Sequence, residues 1–363
     1  MDILLAGDWH STVHEEPVHH AFTKLGHQVH PFSWYGYFHS GNAPSPRGTL
    51  GRLVGKAQNR LMAGPAFSRL NRDFIAQIGR IRPDLSFIYR GTHITRQTLE
   101  AARHASPKTV LIGYNNDNPF ATGHPALYWR HFLRALPAYD MVLAYRERNL
   151  RDFMRAGARD TRLLRSWFIP DQHRPVPLTD TDRARFACDV VFVGHYEPDG
   201  RLEMLEQVVE AGFHLKLFGP GYEWDEVLAR SPRLRHLAPV ELVWKDDYAK
   251  ALCGAKVALC FLSKLNHDSY TRRCFEIPAC GTLMLSEQTD DLAGMFRQGE
   301  EADFFQNGPE LVQKLRHYVY DDALRNQVAD AGRKRVVRDR HDVISRMEDV
   351  LEWATPIAGA PNP

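Results

Sequence analysis

Residues 266–287 read NHDSYTRRCFEIPACGTLMLSE. A polar, acid-containing loop of Asn266, His267 and Asp268 leads into a short helical segment, with Thr271, Arg272 and Arg273 in its first turn. Gly281 stops that helix, and residues 282–285 read as a buried strand. Free amide N–H groups at a helix start, with arginines beside them, suit a phosphate-bearing ligand. Glu276 falls within about two turns of the same place, where a carboxylate can accept hydrogen bonds from ribose hydroxyls. The plainer reading of the stretch is a helix whose glutamate caps it or forms a salt bridge.

Around this stretch an α/β pattern occurs twice. Residues 3–7 are an apolar run ended by Gly7 and Asp8. A helical pattern over 14–25, Gly26 and a strand over 28–32 follow, the opening of a doubly wound α/β domain. Strands at 85–89, 109–113, 141–144 and 162–167 then alternate with helices at 66–82, 95–104 and 147–156. Residues 33–64 read as a long surface loop plus a basic helix, or as a disordered insertion. The stretch IPDQHRPVP at 169–177 carries three prolines and reads as a linker.

The strand–glycine–helix–strand pattern restarts with strands at 189–194 and 213–219 around a helix at 201–211. A helix at 248–254 and a strand at 256–261 precede the opening stretch. These elements predict one domain over 1–168, a linker over 169–185 and a second domain over 186–340. Phe304 and Phe305 read as a short edge strand, with helices over 308–319, 321–337 and 341–353. The terminal helix and tail occupy 341–363, frayed from 356.

A chain of 363 residues exceeds one ordinary core. Its 44% hydrophobic and 25% charged content is that of a globular protein, and a net charge of +2 gives no reason to expect nucleic acid. Five scattered cysteines without a Cys-x-x-Cys pair argue against a disulfide framework or a zinc site, and for a reducing compartment. No stretch approaches the ~18 apolar residues of a membrane span, and the first residues carry no leader pattern. The expectation is a cytoplasmic protein, touching a membrane only peripherally. His10 and His14 would share a helix face only if the helix began by residue 10, and Asp8-Trp9-His10 reads as loop. Asp180 and Asp182 beside Thr179 read as a helix cap. No metal is predicted.

Asp268, seven intervening residues, Glu276 and the turn Ala279-Cys280-Gly281 resemble the signature of retaining glycosyltransferases of the GT-B fold. Thr271, Arg273 and the run FEIPACG at 275–281 look closer still to the CgeB-like (spore-maturation-type) members. Asp268 stands where the wider pattern has a longer glutamate. The loop YNNDNPF at 114–120 resembles that family's Asp-Asp-Pro loop, with Asn118 replacing the second acid; an Asx-turn before proline is the alternative. The resemblance is strongest over 186–350 and looser over 1–165. It implies two Rossmann-like domains facing each other across a cleft, with the terminal helix crossing back to the first. It also implies a UDP-, GDP- or TDP-linked sugar as donor, no cofactor, no metal and retention of anomeric configuration. The acceptor would be a saccharide, lipopolysaccharide, other lipid-linked sugar, protein or small glycoside.

Such a transfer needs charge stabilisation for a departing diphosphate, a grip on the donor, and an acceptor hydroxyl held in line. Arg273 and Arg201 match family positions that carry a basic residue, and guanidinium donors suit phosphate oxygens. Gly194, His195, Gly219 and Thr271 complete the donor-side expectation with Glu276, and Asp268 meets the donor sugar. Thr282 reads as structural. In the first domain Asp8, His10 and Asp117 lie on strand-end loops, where ligands gather in such sheets. His10 has the ordinary pKa best suited to proton transfer. A retaining enzyme needs no dedicated base; an inverting one would take Asp8, His10 or Asp117. Competing readings are a nucleotide-sugar epimerase of the same fold and a non-catalytic sugar-nucleotide-binding protein. A periplasmic sugar-binding protein would need an export signal.

Overall fold

Ile3, Leu4, Leu5 and Ala6 are consecutive, apolar and wholly buried. A strand that hides both faces belongs in a parallel sheet covered by helices on each side. The computed structural model, which describes residues 1–38, 49–121 and 127–358, places it there. In the first unit the strands are β1 (Asp2–Gly7), β2 (Gln28–Ser33), β3 (Leu85–Tyr89), β4 (Val110–Asn115), β5 (Met141–Ala144) and β6 (Thr161–Leu163). They form one parallel sheet in the order β2-β1-β3-β4-β5-β6. In the second unit β7 (Cys188–Val193), β8 (Leu215–Phe218), β9 (Ala255–Cys260), β10 (Leu283–Glu287) and β11 (Asp303–Phe305) form a parallel sheet in the order β11-β10-β9-β7-β8. The short strand at Phe304 and Phe305 lies at the sheet edge, as its length and position suggested.

Both sheets have a switch point, where successive connections leave in opposite directions. It falls between β1 and β3 in the first unit and between β7 and β9 in the second. Loops at the carboxyl ends of those strands splay apart there and leave room for a ligand.

The chain divides into residues Met1–Arg165 with Val343–Pro363, and Ser166–Asp342. The helix Val343–Ala358 therefore belongs with the first unit, as the resemblance implied. Val343, Met347, Val350 and Ala354 recur at spacings of four, three and four, and all are buried. That stripe packs the helix on Glu15–Lys24 near the start of the chain. Each of its larger apolar side chains contributes about 1.5–3 kcal/mol by leaving water.

Several elements differ from the sequence reading. β6 stops at Leu163, where Leu164 donates a last ladder bond to Ala144. Within the proline-rich stretch at 169–177, Ile169 donates to His173 Nδ1 at 2.9 Å, and both residues are buried. A helix, Gly221–Ala229, follows β8, and the buried Trp224 and Leu228 four residues apart were its available signal. The terminal helix runs on through the exposed Pro356 to Ala358. The basic helix expected within 33–64 is Thr49–Leu61, and part of the expected loop falls at 39–48, outside the described residues.

Asp180 and Asp182 open the helix Asp180–Phe186, where Thr179 and Asp182 form a reciprocal capping box, worth about 1 kcal/mol. Asp182 also pairs with Lys250 at 2.9 Å. Among the described residues no group of three or more metal-ligating side chains converges, and no helix is long and apolar enough to cross a membrane.

Candidate functional site

In the second unit the carboxyl ends of β7 and β8 come so close that a Cβ on Gly219 would stand 2.2 Å from the Gly194 carbonyl oxygen. That oxygen accepts a 2.9 Å hydrogen bond from Trp224 Nε1. Beside Gly194 lies the side chain of Arg273, at the start of the motif helix Arg273–Ala279; its Cζ is 3.4 Å from where a Gly194 Cβ would be. Gly194 ends β7 and Arg273 follows β9, so the two stand on either side of the switch point. Arg273 is half-buried, yet it makes no hydrogen bond or ion pair among the described residues, and its Nε is buried without a partner. Burial pulls its pKa down, but the facing Cys260, Tyr248 and Glu276 more than offset this.

Three amides of the motif helix's first turn are engaged within it. Cys274 donates to Thr271 O, and Phe275 and Glu276 donate to Arg272 O, at 2.9–3.1 Å. Thr271 donates its own N–H to Cys274 Sγ, so its backbone builds the turn. Positive charge at this point comes from the Arg273 side chain.

Glu276 is buried at 5% exposure and held from three directions. Tyr248 donates its hydroxyl to Oε2 at 2.6 Å, Arg272 Nε approaches Oε1 at 3.1 Å, and His173 Nε2 stands 3.7 Å from Oε1. Because His173 Nδ1 accepts from Ile169, the ring proton sits on Nε2, facing the carboxylate. Burial lowers the His173 pKa, only partly opposed by Glu276. Burial and then the Glu276 charge push the Tyr248 hydroxyl well above its ordinary range.

Arg201 is engaged within its own loop. It is 3% exposed and grips Asp199 through Nε at 2.8 Å and Nη2 at 2.6 Å, while Nη1 donates to His195 O at 2.6 Å. Three of its five donors thus brace the loop after β7. His195 is exposed, its Nδ1 against Glu223 at 3.1 Å. Asp268 is half-buried in a loop pinned to the second unit. Its N–H donates to Ser263 O at 2.9 Å, and Ser263 Oγ donates to Glu197 at 3.0 Å.

The first unit gathers a second cluster at its own switch point. Asp8 follows β1 and Arg90 follows β3; both line a cavity of about 350 Å³. Arg90 forms an ion pair with Asp117, which follows β4. Burial lowers the Arg90 pKa and Asp117 more than restores it. Tyr128 faces Arg90, Asp117 and Asp8, and its hydroxyl pKa is raised, first by burial. The Asp8 backbone is fixed by Glu15, whose buried Oε1 accepts its N–H at 2.9 Å. His10 is not among the residues lining this cavity; it is exposed and stacks on Tyr35 at 5.1 Å.

Arg90, Tyr128, Tyr248 and His173 escaped the sequence reading. Arg90 directly follows a strand that was read correctly, so the strand-end rule could have found it. Nothing in the sequence joins His173 or Tyr248 to Glu276.

The model of the Glycosyl transferase-like family matches residues 201–352. No curated protein matches the sequence. A glycosyltransferase from Rickettsia africae superposes with a TM-score of 0.71 at 13% identity, over 99% of both chains. Sucrose-phosphate synthase from Thermosynechococcus elongatus gives 0.68 at 14%, over 98% of this chain and 100% of that one. Anabaena HepE in complex with UDP and glucose gives 0.66 at 12%, with the same coverage. These likenesses establish the fold: two Rossmann-like α/β units of the GT-B kind.

Proposed function

We propose that the protein transfers a sugar from a nucleoside-diphosphate sugar to an acceptor hydroxyl, without a metal and with retention. The observation that carries this reading is Arg273: a half-buried guanidinium at a switch point, beside two glycine-ended strands, with no acid paired to it. A guanidinium so placed meets two phosphate oxygens in its own plane and stabilises the charge that develops on a leaving diphosphate. Glu276, oriented by Tyr248 and Arg272, retains lone pairs for ribose hydroxyls. Asp268 serves the donor sugar, and Asp8 and Asp117 the acceptor side. The Glycosyl transferase-like match covers the segment that holds Arg273 and Glu276, and the solved neighbour bound to UDP and glucose supports a UDP-sugar donor.

The test is calorimetric titration with UDP, GDP, TDP and CDP on the wild type and on Arg273→Ala. One diphosphate should bind, and the variant should lose at least about tenfold in affinity. Product analysis with the matching sugar nucleotide then reads transfer and anomeric configuration. Failure of all four to bind the folded protein would sink the reading. Binding with no transfer or hydrolysis would make the chain a sugar-nucleotide-binding protein.

A further inference from the structure

The cavity at the first unit's switch point has two kinds of wall. Its interior sets polar groups, ordered by a relay of hydrogen bonds, beside the rings of Trp34 and Tyr128. Asn59 Oδ1 can only accept, so His93 Nε2 donates to it at 2.7 Å, and His93 Nδ1 accepts from the Thr92 hydroxyl at 2.9 Å. That relay leaves the Asn59 amide N–H groups without a partner among the described residues, on a side chain that lines the cavity. Arg90 Nε is a second buried donor without a partner, and the Asp8 side chain lines the same space. Fixed donors beside a carboxylate and the Tyr128 ring suit a head group rich in hydroxyls.

The rim is different. Leu61 and Leu127 line the same cavity but are 55% and 59% exposed. Two large aliphatic side chains exposed at the lip have no use for a wholly polar ligand. Covering them returns about 25 cal/mol for each Å² of apolar surface.

We propose that this cavity binds an amphiphilic glycoside, with its hydroxylated head against Asn59, Arg90 and Asp8 and its apolar aglycone over Leu61 and Leu127. Resting on the glycosyltransferase reading, this ligand is the acceptor, and the acceptor class is a sugar carried on an apolar tail rather than a free saccharide.

The test is binding to the full chain without donor, so that it does not depend on turnover. Octyl β-glucoside and octyl β-galactoside, below their micellar concentrations, are titrated against the corresponding methyl glycosides. At least one octyl glycoside should bind about tenfold or more tighter than its methyl partner. Leu61→Ser with Leu127→Ser, both at exposed positions, should erase that preference without lowering the melting temperature. Asn59→Ala should weaken octyl and methyl forms alike. Equal affinity for octyl and methyl forms, an octyl preference that survives the double substitution, or no binding of any glycoside would each overturn the proposal. UDP titration of the same samples reports on the donor site separately, so a failed acceptor assignment is told apart from a failed transferase reading.

Discussion

The guanidinium of Arg273 lies against Gly194: a methyl group on Gly194 would be 3.4 Å from Arg273 Cζ and 2.8 Å from the ring of Phe192. The second distance is too short for any real contact, and Phe192 is wholly buried. Gly194→Ala must therefore push the core ring, the arginine or both. The expected result is a loss of about 1–3 kcal/mol in stability by denaturant titration. With it should come weaker nucleoside-diphosphate binding by calorimetry. Wild-type behaviour in both would mean that the close approach has no consequence.

Tyr248 and Glu276 are 28 residues apart, and their 2.6 Å hydrogen bond is made at a buried carboxylate. Tyr248→Phe removes the donor and leaves Arg272 as the close one. A hydrogen bond to a charged group contributes about 1.5–3 kcal/mol, and urea unfolding of the variant should show a loss of that order. An unchanged midpoint would show that Arg272 alone satisfies the carboxylate.

Glu15 is 1% exposed, and its Oε2 has no partner among the described residues. Burial raises its carboxyl pKa above the ordinary value of 4.5, against the lowering effect of its backbone hydrogen bonds. The folded state thus holds this proton more tightly than the unfolded chain does. Stability is greatest below the unfolded pKa and falls as pH rises through the folded one. Glu15→Gln keeps an acceptor for the Asp8 N–H and removes the charge. Its melting temperature, measured against the wild type, should therefore gain more at pH 8 than at pH 5. A gap that does not change with pH would contradict the assigned shift.

Cys253 is half-exposed, and its thiol is lowered to about 7, chiefly by a side-chain hydrogen bond with Cys280. The other four cysteines are buried. Since the thiolate is the nucleophile, iodoacetamide at pH 7.5 should label Cys253 first, by peptide mass spectrometry. Earlier labelling of Cys260 or Cys274, whose buried sulfurs lie 3.6 Å apart, would show that their surroundings open readily.

The candidate residues of the site could be picked out from the sequence, and much of its geometry could not. Arg273, Glu276 and Gly194 could be named because strand ends and helix starts are local features, and local features follow from residue type over a few positions. Arg201 reads the same way but is committed to Asp199, because a loop can turn an arginine back onto a carboxylate two residues before it. Three amides at the start of the motif helix are engaged for a similar reason. The first turn of the motif helix is tight enough for its N–H groups to find the carbonyls of Thr271 and Arg272.

The sequence by itself determined the two α/β units, because buried parallel strands need unbroken apolar runs and each run is bounded by glycine or a polar loop. It also pointed to the strand-end loops as candidates, because those loops follow the strands directly. Only the tertiary structure decided that His173 and Tyr248 orient Glu276, that Arg90 gathers Asp117 beside the cavity of Asp8, and that Arg273 is left unpaired. Those facts depend on which distant loops meet at a switch point. Strand order in the sheet sets that meeting, and strand order is fixed by packing across the whole unit.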